Sequence, residues 1–129
     1  MTTHLATVAI VDDDASVRKA LALLLTACSF ETATYGSAAE FLHSLSDGPP
    51  ACLIVDLQMP EMTGLELQQR LLCDGIRIPT IAITAYNECG ARERCEAAGA
   101  SAFLLKPIQE DALISAVTLA MAEPSAKGS

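Results

Sequence analysis

Five side chains far apart in the sequence could do together what none does alone: the carboxylates of Asp12, Asp13 and Asp56, the hydroxyl of Thr84 and the ammonium of Lys106. Each stands where a short apolar run stops. Thr7–Val11 (TVAIV) opens into Asp12-Asp13-Asp14, Cys52–Val55 ends in Asp56, TIAIT ends in Thr84, and Ala102–Leu105 leads into Lys106-Pro107. Short runs rich in Val, Ile and Leu, bounded by polar turns, predict buried parallel strands. In an open α/β sheet the strand carboxyl ends lie along one edge, where ligand sites form. Two carboxylates about 4 Å apart repel by roughly 4 kcal/mol at an effective dielectric near 20. That is a large part of the roughly 5–15 kcal/mol that holds a domain folded. A hard divalent cation offsets the repulsion, and oxygen ligands with room for water suit Mg2+, with Mn2+ able to replace it. Lys106 adds positive charge that can also bind a phosphoryl oxygen. A carboxylate held beside a cation, a lysine and a hydroxyl is equipped to attack phosphorus and form an acyl phosphate. Asp56, alone at its strand end, is the expected nucleophile. The adjacent pair Asp12 and Asp13 suits holding metal, directly or through water.

Positioning these groups requires helices between the strands, and the spacing supplies them. Asp14 can cap a helix that carries Val17, Leu21, Leu24 and Cys28 on one face. Glu31–Tyr35 is a weaker second strand, and Ser37-Ala38-Ala39-Glu40 has the pattern of a capping box ahead of Phe41, Leu42 and Leu45. Asp47-Gly48-Pro49-Pro50 is a turn. Met59-Pro60 cannot continue a strand ladder. A helix from Leu65 to Cys73 follows, with Leu67, Leu71 and Leu72 inward and Gly75 as its stop. Asn87 is placed to cap a helix from Glu88 to Ala98, and the last helix runs from about Gln109 to Met121. Strand and helix alternate five times, which predicts one α/β domain: a five-stranded parallel sheet with helices on both faces and right-handed crossovers. The domain is expected over residues 1–122, with a linker-like tail, EPSAKGS, over 123–129.

Composition narrows the function classes. At 129 residues the chain has room for one domain and a real core, and with 51% hydrophobic residues, 4% aromatics and no Trp that core is aliphatic. Sixteen Asp and Glu against eight Lys and Arg give a net charge of −8, which argues against direct nucleic-acid binding. Five well-separated cysteines without a C-x-x-C pair fit free thiols in a reducing compartment. No apolar run approaches the roughly 20 residues of a membrane span, and MTTHLAT lacks a signal-peptide profile. A cytoplasmic location follows as the expectation.

The motifs VDDD at 11–14, LIVDLQMPEMTG at 53–64, ITA at 83–85 and LLKP at 104–107 resemble those of response-regulator receiver domains, the phosphoacceptors of bacterial two-component signalling. The likeness extends over about Thr7 to Met121, and VDDDASVRKAL, YGSAAEFL and DLQMPEMTGLELQ are most similar to the FixJ-type subgroup. The resemblance implies a flavodoxin-like (βα)5 fold with strand order 2-1-3-4-5. It implies that Asp56 takes a phosphoryl group from a sensor histidine kinase. Mg2+ would be held by Asp13, Asp56, Asp12 through water and the backbone carbonyl of Gln58. Thr84, Lys106 and the backbone N–H of Ala85 would contact the phosphoryl oxygens, and the Lys106-Pro107 bond would be cis. Phe103 takes the switch position, its ring moving inward as Thr84 is drawn to the phosphate. Burying about 80 Å² more of that ring would yield roughly 2 kcal/mol. Gln58 and Tyr86 would flank the water path and tune the lifetime of the phosphorylated state. Glu88-Cys89-Gly90 departs from the subgroup's usual loop.

Under this reading the altered face from the fourth helix to the fifth strand controls homodimerisation or an output domain, most simply one that regulates transcription. DNA would be reached only through that output domain. The alternatives are a stand-alone receiver acting through protein contacts and an Asp-nucleophile phosphatase, whose D-x-D-x-[ST] opening Asp12-x-Asp14-x-Ser16 formally fits. A pseudo-receiver that is never phosphorylated is disfavoured, because every expected site residue is present.

Overall fold

A computed structural model of the chain describes residues 7–85 and 89–122. Among the described residues five strands alternate with five α-helices: β1 (Thr7–Val11), α1 (Ala15–Ala27), β2 (Glu31–Tyr35), α2 (Ala38–Ser44), β3 (Cys52–Asp56), α3 (Gly64–Cys73), β4 (Thr80–Thr84), α4 (Ala91–Ala97), β5 (Ala100–Leu105) and α5 (Glu110–Ala122). The strands form one sheet in the order β2-β1-β3-β4-β5, every pair parallel. This is the flavodoxin-like arrangement expected from the sequence.

Strand side chains alternate between two faces, and each face meets its own helices. Val8, Ile10, Ile54, Ile81 and Ile83 pack against Leu21 and Leu25 of α1 and Leu113, Val117 and Ala120 of α5. On the other face Ala9, Val11, Leu53 and Val55 meet Ala38 and Phe41 of α2 and Leu67 and Leu71 of α3. Farther along that face, Ala82 and Phe103 pack against Ala91 and Cys95 of α4. β3 and β4 are buried along their whole length. A strand covered on both sides is largely apolar, which is why a carboxylate, Asp56, at the tip of LIV stands out.

Several local expectations hold and others need correction. Asp14 caps α1 as expected, its side chain accepting the N–H of Ser16 at 2.9 Å. Ser37 accepts the N–H of Glu40, but the Glu40 carboxylate accepts from Gly36 rather than closing a capping box onto Ser37. The complete capping box lies at Thr63 and Glu66, at the start of α3. Cys28 is exposed, because α1 ends at Ala27 and Ser29 turns left-handed with φ 73°. Leu72 is 53% exposed, since it lies about 100° round the helix from buried Leu71. α4 begins at Ala91 instead of Glu88: Gly90 precedes it with φ 84°, a conformation that cannot continue a right-handed helix. The expected cap Asn87 and start Glu88, like Tyr86 and the tail 123–129, lie outside the described residues.

Candidate functional site

Parallel pairing in register brings the ends of β1, β3 and β4 level. Val11 pairs with Val55 and Asp56 with Ile83, so the residues that follow emerge along one sheet edge. Asp12 is fully buried and Asp56 is 3% exposed, whereas Asp13 faces solvent. One carboxylate oxygen from each of these acids lies within 4.8 Å of the others. Lys106, carried round from the end of β5, donates from Nζ to Oδ2 of Asp12 and to Oδ2 of Asp56, both at 3.1 Å. The Lys106–Pro107 peptide bond is cis.

The loops around this cluster are held from within. Oδ1 of Asp12 accepts the N–H of Asp14 at 2.9 Å, and the Asp12 carbonyl accepts from Nη1 of Arg18 at 2.7 Å. Oδ1 of Asp56 accepts the N–H of Gln58 at 3.0 Å, which aims that carboxylate along the loop after β3. Gly64 lets α3 close on the same loop. A Cβ there would lie 2.5 Å from the Asp56 carbonyl oxygen and 3.0 Å from the Leu57 Cα, so a side chain has no room. The Thr63–Glu66 capping box holds the start of α3 at that distance, with both reciprocal bonds present.

Burial raises the pKa of Asp56 above that of an ordinary aspartate; the nearby Asp12 charge adds to this, and the Gln58 N–H and Lys106 only partly oppose it. Burial works against the Lys106 ammonium, but its bonds to Asp12 and Asp56 and their charges outweigh this and hold its pKa above the usual lysine value. Two buried carboxylates thus share one cation. A cluster of hard oxygen donors short of positive charge, with exposed Asp13 open to water on its outer side, fits a hydrated divalent ion such as Mg2+.

Thr84 is fully buried at the end of β4, and its hydroxyl donates to Oε1 of Gln58 at 2.6 Å. Ala85 follows it, exposed. Phe103 is not among the acids. It pairs with Ala82 in the sheet and is only 5% exposed, packed on α4 with the Arg92 guanidinium 5.0 Å from its ring centroid. Its ring therefore has little area left to bury. Asp14, the second acid of the D-x-D-x-S pattern, caps α1 and takes no part in the three-acid cluster.

Two participants were not foreseen from the sequence, Arg18 and Arg92, and the Gln58 side chain, expected beside the water path, is found bonded to the Thr84 hydroxyl. Arg18, four residues after the Asp14 cap, falls one helical turn on, which is the signal that could have placed it beside the β1–α1 loop. Arg92 carried no such signal.

Similarity to known proteins agrees with this geometry. Residues 8–118 match the family described as the response regulator receiver domain. The transcriptional regulatory protein TdiR of Thauera aromatica is 36% identical over 121 residues, covering 94% of this chain and 53% of that protein. The transcriptional regulatory protein FixJ of Rhizobium meliloti is 39% identical over 111 residues, covering 86% of this chain and 54% of that one. The chain spans about half the length of these curated relatives. Among solved structures, FixJ-N superposes with a TM-score of 0.84 at 37% identity, covering 94% of this chain and 95% of that one. The response regulator StyR gives a TM-score of 0.83 at 40% identity, over 89% of this chain and 58% of that one.

Proposed function

The chain belongs to the response regulator receiver family, and on that premise we propose that it is a phosphorylation-dependent switch whose phosphoacceptor is Asp56. The observation that carries this reading is the shared cation: Lys106 bridges buried Asp12 and Asp56 at 3.1 Å each, inside a three-acid cluster at the strand ends. Asp56 attacks the phosphorus of a phosphohistidine on a sensor histidine kinase. The new P–O bond forms as the P–N bond breaks, and the imidazole leaves and takes up a proton. The Gln58 N–H and the Asp56–Lys106 bond aim the attacking carboxylate, and Lys106 follows the charge onto the transferred group. Thr84 and the Ala85 N–H supply further donors to the phosphoryl oxygens. Asp13, Asp56, Asp12 through water and the Gln58 carbonyl would hold Mg2+, which when bound neutralises charge on the phosphoryl group. Gln58 and Tyr86 would tune the lifetime of the phosphorylated state.

The output is proposed to run through the face from α4 to β5, with Thr84 and Phe103 reporting on the site. That face would control homodimerisation or a further domain that regulates transcription, joined through the segment 123–129 in a cytoplasmic protein. The half-length coverage of TdiR and FixJ, both described as transcriptional regulatory proteins, supports this. The capping role of Asp14 weighs against the phosphatase alternative, which needs that acid in the site.

The test is incubation with acetyl phosphate and Mg2+, followed by intact-mass measurement. The expected result is one phosphoryl group per chain, lost in Asp56→Asn. Release of many equivalents of phosphate without a labelled protein would instead identify a phosphatase.

A further inference from the structure

Gln58 touches both halves of the proposed switch. Its backbone N–H donates to Oδ1 of Asp56 at 3.0 Å, and its side-chain Oε1 accepts the Thr84 hydroxyl at 2.6 Å. We infer that the Gln58 amide is a latch on Thr84: in the unphosphorylated chain it holds the hydroxyl proton that the phosphoryl group must later claim. The inference rests on the phosphoacceptor reading of Asp56 and adds a positioning residue to it.

The chemistry of a hydroxyl makes the two bonds exclusive. Threonine has one O–H proton, so it donates to Gln58 or to a phosphoryl oxygen, not to both. Exposure sets the direction of the exchange. Thr84 is fully buried, so bulk water does not compete for its proton, whereas Gln58 is exposed and its amide is solvated once released. A neutral amide oxygen is a weaker acceptor than a phosphoryl oxygen, because bonds to charged acceptors are roughly twice as strong. The latch therefore withstands water and yields to phosphate. It should suppress rearrangement of Thr84 in the resting chain and make phosphoryl binding weaker than Asp56, Lys106 and Thr84 alone would allow.

The probe is beryllofluoride, a phosphoryl mimic, titrated by calorimetry with Mg2+ into four proteins: wild type, Gln58→Leu, Thr84→Ala and the double variant. Leucine keeps the bulk and removes the acceptor. A net hydrogen bond of ordinary strength corresponds to an expected tightening in Gln58→Leu of about two- to ten-fold. The gain should vanish on the Thr84→Ala background and persist in a further pair that keeps the hydroxyl, Thr84→Ser with and without Gln58→Leu. Equal affinities in wild type and Gln58→Leu would overturn the latch, and so would the same tightening with Thr84 already removed. Binding by neither protein would overturn the phosphoacceptor reading and the latch with it. A second measurement needs no metal or phosphoryl group. Urea midpoints of the same four proteins should show non-additive losses, since each single variant breaks the same bond. Additive losses would refute it.

Discussion

Gly64→Ala is the sharpest test of how the fold builds the site. The added Cβ would sit 2.5 Å from the Asp56 carbonyl oxygen and 3.0 Å from both its carbonyl carbon and the Leu57 Cα. Ordinary contact begins at 3.4 Å, so α3 and the loop after β3 must separate by about 1 Å. Neither side moves freely: the Thr63–Glu66 capping box fixes the helix start, and Leu57 donates its N–H to the Ile83 carbonyl at 2.9 Å. Overpacking of this kind costs roughly 1–3 kcal/mol, and the loss of glycine's freedom in the unfolded chain returns about 0.4–1 kcal/mol. The net loss of about 1–2 kcal/mol lowers the melting temperature of a domain this size by about 3–10 °C. The chemical effect should be larger, since a displacement of about 1 Å at a reacting group costs on the order of 100-fold in rate. Melting by circular dichroism and the initial rate of labelling by acetyl phosphate with Mg2+ read the two effects separately. A variant that melts like wild type and labels within about two-fold of its rate would refute the claim that Gly64 sets the position of Asp56.

Other consequences follow from the charges. The raised pKa of Asp56 means that folding favours its protonated form; that contribution is complete below the unfolded carboxyl pKa and is lost as pH rises through the folded value. Asp56→Asn cannot ionise, so its urea midpoint should exceed that of wild type at pH 7, with the difference closing below about pH 4; a gap that instead widens in acid would contradict the shift. Lys106→Met should leave Asp12 and Asp56 buried without their shared cation and lower stability at pH 7 by about 3–5 kcal/mol. That deficit should shrink as the pH falls, and pH-independent urea titrations would count against it. Asp13→Ala should weaken Mg2+ binding in calorimetry yet change metal-free stability by less than about 0.5 kcal/mol, because its side chain is exposed and screened.

The sequence revealed what alternation and punctuation encode. Apolar runs ending in Asp12, Asp56, Thr84 and Lys106 were enough to place four strand ends on one edge, because parallel strands in such a sheet share their direction. The converging groups were legible because single-letter chemistry survives without coordinates. Side-chain direction was not. Leu72 follows the hydrophobic pattern as well as Leu71 does, yet it lies on the solvent side of α3. Phe103 could have been placed on either side of its strand, and only the packing of α4 from Gly90 onward shows it inward. The Thr84–Gln58 bond joins residues 26 apart through two loop ends, and no periodicity encodes that.

The burial of Phe103 also bears on where the energy of the proposed switch would come from. At 5% exposure under Arg92 it has almost no area left to bury, so the roughly 2 kcal/mol expected from inward rotation is not there to be gained. What remains is exchange of partners. Lys106 at rest holds Asp12 and Asp56, and Thr84 holds Gln58, so the groups that would grip a phosphoryl oxygen are already engaged. Replacing a neutral acceptor, worth about 1 kcal/mol net, by a charged one, worth about 1.5–3 kcal/mol, leaves a gain of order 1 kcal/mol for Thr84. One such exchange shifts a two-state population about five-fold. A larger response would need Lys106 and α4 to change partners in the same step, and the contact of the α4 cation Arg92 with the Phe103 ring is where that coupling should be sought.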